Sequence, residues 1–207
     1  MSAFSKYILA TGLLIMICIN GFAQTDRKNS LSLGWGVSTP ASDGNFLNNA
    51  AWTNPSLQWD YRIIPQLSIG LFAGYSVSNE KGVTNDIYDG AMVSGHSDRT
   101  LSYLTTAVTL RYFPWENRGL LQPYLLLSGG IQYANFEITG DTIHTTQHKN
   151  WAAVAAPGIG ARIYPIATKG LFVDLNGTWK WAGNGLPVMD INSQSNIEIR
   201  LSVGIGF

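Results

Sequence analysis

Residues 197–207 read IEIRLSVGIGF, and the alternation within them decides the fold. Ile197, Ile199, Leu201, Val203, Ile205 and Phe207 share one parity; Glu198, Arg200, Ser202, Gly204 and Gly206 share the other. A period of two is the signature of a β-strand with one apolar and one polar face. An arginine set opposite a wholly apolar face leaves one question open: whether that apolar face looks into a core or away from one.

Seven further stretches alternate in the same way, at about Ser30–Ser38, Ser56–Ile63, Leu67–Ser78, Leu101–Phe113, Pro123–Phe136, Trp151–Tyr164 and Leu171–Trp181. In the fifth, Tyr124 and Leu126 blur the pattern. In the sixth, Pro157 interrupts it and predicts a bulge or kink, because proline cannot donate to a ladder. The connections alternate in length. Pro65-Gln66, Pro114–Leu121 and Pro165–Gly170 are short and carry turn-forming residues. Thr39–Pro55, Asn79–Thr100, Glu137–Asn150 and Ala182–Ser195 are long and polar. Eight strands joined short, long, short, long predict an all-β, eight-stranded antiparallel up-and-down transmembrane β-barrel.

The start of the chain predicts export. Lys6 precedes an apolar run from Tyr7 to Ile19, and Gly21-Phe22-Ala23 sets small residues three and one before a cut preceding Gln24. That reads as a cleaved signal peptide over 1–23, followed by a barrel domain over 24–207. Cys18 leaves with the signal, so the mature chain holds no cysteine. Without Lys6, 12 Lys+Arg stand against 13 Asp+Glu, so no basic surface points to nucleic acid. Charged residues are 13% of the chain, about half the share usual in soluble domains.

A soluble lipocalin-like barrel would also have eight strands, with its apolar side chains turned inward around a ligand. Its water-facing parity would be rich in Lys and Glu; here that parity is mostly Gly, Ser, Thr and Asn, which suit a narrow lumen. Aromatics gather near the strand ends in two sets. Tyr61, Tyr112, Phe113, Trp115 and Tyr164 lie by the short turns, and Tyr75, Tyr133, Phe136, Trp151, Trp179 and Trp181 by the long connections, as in interfacial girdles. Arg200 faced outward near mid-membrane would cost roughly 2–4 kcal/mol. The polar parity is therefore read as the inside, and Asp60, Arg62, Arg111, Arg162, Asp174, Lys180, Glu198 and Arg200 as a lumen charge network.

With these features the chain resembles the small outer-membrane β-barrel proteins of the OmpA/OmpX/OmpW type, especially the outer membrane protein β-barrel domain proteins of Bacteroidota. The resemblance rests on the signal, the eight strands and the terminal strand ending in Gly206-Phe207. It implies that Leu201, Val203, Ile205 and Phe207 form a β-signal read by the barrel-insertion machinery. It also implies a monomer among outer-membrane lipid and lipopolysaccharide, with its termini in the periplasm and its long loops outside.

Other candidates carry less. His96, Ser97 and Asp98 tempt a hydrolase reading, but consecutive residues cannot generally relay a proton in the order a triad needs, and no enzyme is expected. His144 and His148 share parity but have only Asp141 near them, so no metal and no cofactor is expected. Asp141-Thr142-Ile143 resembles an O-glycosylation acceptor, whereas Asn176-Gly177-Thr178 falls within a predicted strand. The expected role is structural or interactive through the long loops around a filled lumen. The alternative is a narrow passive pore or an OmpW-like route for small apolar molecules.

Overall fold

A computed structural model describes residues 28–41, 49–88, 91–115, 120–140, 143–165, 170–184 and 193–207, with side chains omitted at 82–88, 91–97, 140 and 143–147. The signal segment, Asp141 and Thr142 lie outside the described residues. Eight strands follow one another: β1 (Asn29–Pro40), β2 (Pro55–Ile64), β3 (Leu67–Tyr88), β4 (Ala91–Tyr112), β5 (Leu121–Gly140), β6 (Ile143–Ile163), β7 (Leu171–Ala182) and β8 (Gln194–Gly206). Each pairs antiparallel with the next, and β8 returns to β1, closing a barrel in sequence order. Closure leaves no unpaired sheet edge along the barrel wall, which is how an all-β chain avoids edge-to-edge association.

The pleat sorts the side chains. Leu33, Leu71, Val108, Leu127, Ile159, Leu175 and Ile199 are exposed on the outer surface, while Gln58, Asp60, Thr109, Gln132, Asn176 and Glu198 are buried inside. This inverts the arrangement of a soluble protein, and for a polar interior to be stable its groups must find hydrogen bonds with one another.

Three expectations are corrected. The connections expected over Asn79–Thr100 and Glu137–Asn150 are strand for most of their length. β3 and β4 pair out to Tyr88↔Ala91, and β5 and β6 to Gly140↔Ile143. Apolar alternation marks a strand only where one face is buried; a backbone ladder continues without it, and these residues carry only scattered apolar side chains with no sustained alternation. Second, Pro157 causes no bulge. The β5–β6 register runs evenly through Leu127↔Pro157, and β6 resumes against β7 at Gly158↔Thr178 in the register it held at Ala155↔Trp181. Proline sits there with its side chain outward, and the β6–β7 ladder skips Ala156 and Pro157 without a change of register. The register shift found on β2 lies instead between Arg62 and Ile64, beside the Pro65-Gln66 turn. Third, Phe113 and Phe136 belong to no outer girdle: they are 2% and 1% exposed, on the same parity as Arg111 and Ala134.

Candidate functional site: the lumen

The inward charges fall into two clusters at different heights, joined by aromatic rings. The first lies toward the end with the short turns. Asp60 on β2 faces Arg111 on β4 and Arg162 on β6, and Asp174 on β7 completes the group. Arg111 Nη1 donates to Asp60 Oδ2 and its Nη2 donates to Gln58 Oε1 at 2.8 Å. Arg162 Nη2 reaches the same Asp60 oxygen at 2.9 Å, and its Nε reaches Asp174 Oδ2 at 3.2 Å. Tyr124 donates its hydroxyl to Asp174 Oδ1 at 2.6 Å, and Asn176 adds a second donor at 3.1 Å. Ser30 accepts from Arg162 at 3.3 Å, and Gln58 Nε2 holds Asp60 Oδ1 at 2.8 Å. Two guanidiniums and two carboxylates thus neutralise one another across the barrel, from β2 to β6 and β7. The side chains of Asp60, Arg111, Arg162 and Asp174 are each 4% exposed or less.

The second cluster lies nearer the long hairpins. Lys180 Nζ donates to Glu198 Oε1 at 2.6 Å, and Arg200 Nη2 donates to Oε2 of the same carboxylate at 2.9 Å. Beyond it a neutral layer runs from Thr105 through Gln132 to Asn184 and Asn150. Thr105 donates to Gln132 at 3.0 Å, Gln132 to Asn184 at 2.9 Å, and Asn184 to Asn150 Oδ1 at 2.7 Å. Arg62 stands apart from both clusters, at the short-turn end, where it donates to Gln122 at 3.4 Å and stacks on Phe113.

Each of the five lumen cations lies over an aromatic ring. Arg62 stacks on Phe113 at 4.5 Å, Arg111 on Tyr124 at 5.0 Å, Arg162 on Phe172 at 4.1 Å, Lys180 on Tyr103 at 4.7 Å, and Arg200 on Phe72 at 4.4 Å. A desolvated cation gains of order 2 kcal/mol from such a face. Three of these rings bring their tips against a glycine in the wall. A methyl group on Gly204 would sit 2.3 Å from Phe172, one on Gly74 2.7 Å from Phe72, and one on Gly160 2.4 Å from Tyr124. The sequence therefore builds a repeated stack of glycine, ring and cation, with glycine chosen for close approach.

This arrangement makes a direct prediction. Gly204→Val drives a side chain into Phe172 and into the Leu31 carbonyl oxygen, 2.6 Å from the added Cβ. It lowers stability by about 1–3 kcal/mol through overpacking. Gly129, whose Cβ would meet nothing within 4 Å, is the control: Gly129→Ala leaves the unfolding midpoint in urea nearly unchanged. Equal midpoints for the two variants would remove the packing role assigned to Gly204.

Between the two clusters lies a cavity bordered by Gln58, Thr109, Lys180, Glu198 and Arg200, in which the centre of a water molecule has about 30 Å³ to occupy. One water needs some 10–15 Å³ of such space, so a few waters fill it. Among the described residues, charges, rings and amides occupy much of this eight-stranded lumen, whose diameter side chains are able to fill.

Leu201, Val203 and Ile205 point outward from β8, opposite Trp35, Leu33 and Leu31 of β1, and Phe207 follows the strand end. Asn29 and Phe207 exchange backbone hydrogen bonds at 3.0 and 2.8 Å. His96 and Ser97 lie in the β4 extension opposite Val83 and Gly82, while Asp98 pairs with Lys81 at 3.5 Å. His144 and His148 lie on β6, and the His148 ring packs on Phe136 at 6.3 Å. Asn176 is buried in the first cluster. Sequence reasoning missed Gln58, Tyr124, Phe72, Phe172, Tyr103, Gln132 and Asn184. The one available signal was the intrusion of Tyr124, Leu126 and Phe72 into the polar parity.

Among solved structures, the chain is similar to Ail, the attachment invasion locus protein of Yersinia pestis, determined in complex with the heparin analogue sucrose octasulfate. The TM-score is 0.56 at 16% identity, over 88% of this chain and 100% of that one. Neisserial surface protein A gives 0.54 at 13% identity, over 86% and 96%. The outer membrane protein OprG from Pseudomonas aeruginosa gives 0.53 at 12% identity, over 90% and 99%. No protein-family profile and no curated protein sequence matches the chain. At these identities the likeness is one of fold: the chain shares its closed barrel with small outer-membrane proteins.

Proposed function

We propose that this chain is an outer-membrane barrel with a filled lumen, and that it acts through the end where its long hairpins stand. The observation that carries this reading is the pair of charge clusters crossing the interior while apolar side chains cover the exterior. The exterior band has the right height. From Leu67 to Val77 on β3 is ten residue steps, and at about 3.3 Å per residue and a tilt of roughly 40° it rises about 25 Å, the height of a barrel's apolar band. Exposed Tyr61, Tyr112 and Trp115 rim one end of the band, and Tyr75, Trp151, Trp179 and Trp181 the other. Such belts suit the two membrane interfaces.

In this reading residues 1–23 are a signal removed on export, the short turns and both ends of the mature chain face the periplasm, and β8 carries the β-signal. The β3–β4 and β5–β6 hairpins extend outward as a display for surface contact.

Passive transport is the second reading, and one feature favours it. The ladder between β6 and β7 omits Ala156 and Pro157, a local gap in the wall through which a small apolar molecule would leave sideways. Planar-bilayer recording of the refolded barrel, with a heat-dependent gel shift to show folding, separates the readings. The filled-lumen reading expects silence. Discrete current steps altered by Arg200→Ala would replace it with a pore.

A further inference from the structure

The two clusters differ in charge balance. In the first, Arg111 and Arg162 meet Asp60 and Asp174 and sum to zero. In the second, Lys180 and Arg200 share the single carboxylate of Glu198, leaving one positive charge in excess. These three residues are 4%, 6% and 5% exposed. A buried charge without a partner costs several kcal/mol, so an excess cation at this depth calls for a counter-ion.

The cavity beside this cluster can receive one. Arg200 borders it, and Arg200 Nε makes no hydrogen bond to the protein; Ser76 borders it too, and its Oγ makes none either. Both Glu198 oxygens are already engaged, one by Lys180 and one by Arg200. The rest of the lining includes Phe72, Ala107, Leu126 and Val154. Asn54, Thr105, Thr109 and Thr178 also border it, so size decides between anions: the space is that of a few waters, which suits a monatomic ion. We propose that this cavity binds a single monatomic anion of halide size, held by Arg200 Nε and Ser76 Oγ as counter-ion to the Lys180–Glu198–Arg200 cluster. The site is internal to the barrel and does not depend on the role proposed for the exterior.

The test uses the refolded barrel in two measurements. Urea unfolding is followed in sodium chloride and in sodium gluconate at equal ionic strength, gluconate being too large for the cavity. The midpoint falls in gluconate for the parent chain. That shift is lost in Arg200→Met, which leaves Lys180 and Glu198 as a neutral pair, and it grows in Glu198→Gln, which raises the excess charge. Should Arg200→Met fail to refold, Lys180→Met removes the same charge and is expected to lose the same shift. Crystals grown in sodium bromide provide the second readout, an anomalous peak within hydrogen-bonding distance of Arg200 Nε. Identical midpoints in the two salts, or bromide found only on the outer surface, overturn the proposal.

Discussion

Replacing Asp60 with alanine destabilises the folded barrel by about 3–5 kcal/mol, the range for removing one partner of a buried ion pair. The size follows from what Asp60 holds. One of its oxygens accepts from both Arg111 and Arg162, and the other from Gln58. Without it two guanidiniums remain at 1% and 4% side-chain exposure with Asp174 as their shared acid. The loss is one of balance more than of attraction, so removing a cation in the same background restores much of it. The double variant Asp60→Leu with Arg111→Met is expected to unfold at higher urea than Asp60→Ala alone. Equilibrium unfolding of the refolded barrel in lipid vesicles, followed by tryptophan fluorescence, measures both. A loss below about 1 kcal/mol for Asp60→Ala would mean that water or a neighbour already satisfies the two arginines, and the cluster would not be the cross-brace described.

The second large effect lies on the other side of the wall. Val108 is outward on β4, 47% exposed, opposite Leu71 and Gly129 near the middle of the apolar band. In a membrane-spanning barrel Val108→Arg costs roughly 2–4 kcal/mol, the midplane value for a basic side chain facing lipid. Asn79→Arg, exposed on β3 beyond the band, costs close to nothing. The contrast between the positions, measured in vesicles, carries the information. If both substitutions were equally mild, the apolar exterior would not be facing hydrocarbon and the proposed location would fall.

Much of this architecture could be read from parity. Glu198 and Arg200 alternate with Ile197, Ile199 and Leu201, and once the polar face is taken as the interior, each charged residue acquires a side. Parity gives no partner, however. That Asp60 serves Arg162, 102 residues away, depends on which strands stand across the lumen from each other, and only closure of the barrel fixes that. The ring stacks were hidden for a related reason. Tyr124 and Phe172 stand on the polar parity as aromatic exceptions to it, and they fit inside because Gly160 and Gly204 leave room on neighbouring strands. Residues 79–88 and 91–100 fail differently: their strand character comes from the ladder, and a sequence with only scattered apolar residues and no sustained alternation does not announce it. At Pro157 the local rule held only in part: the β6–β7 ladder skips Ala156 and Pro157, yet the register is the same on either side, so no residue is inserted.

Closure of the barrel has a kinetic consequence. The seam between β1 and β8 runs from Ser30↔Gly206 to Pro40↔Asn196, so its partners are 156 to 176 positions apart. The hairpins can form locally and early; the seam requires the two most distant strands to meet after the other six are in place. Contacts of such high order make folding slow, and their search rather than hairpin formation sets the rate. During that search β1 and β8 are two open edges of complementary register, each able to pair with its counterpart on another chain. Dilution therefore favours the closed monomer over swapped or chained assemblies, and refolding yield falls as protein concentration rises.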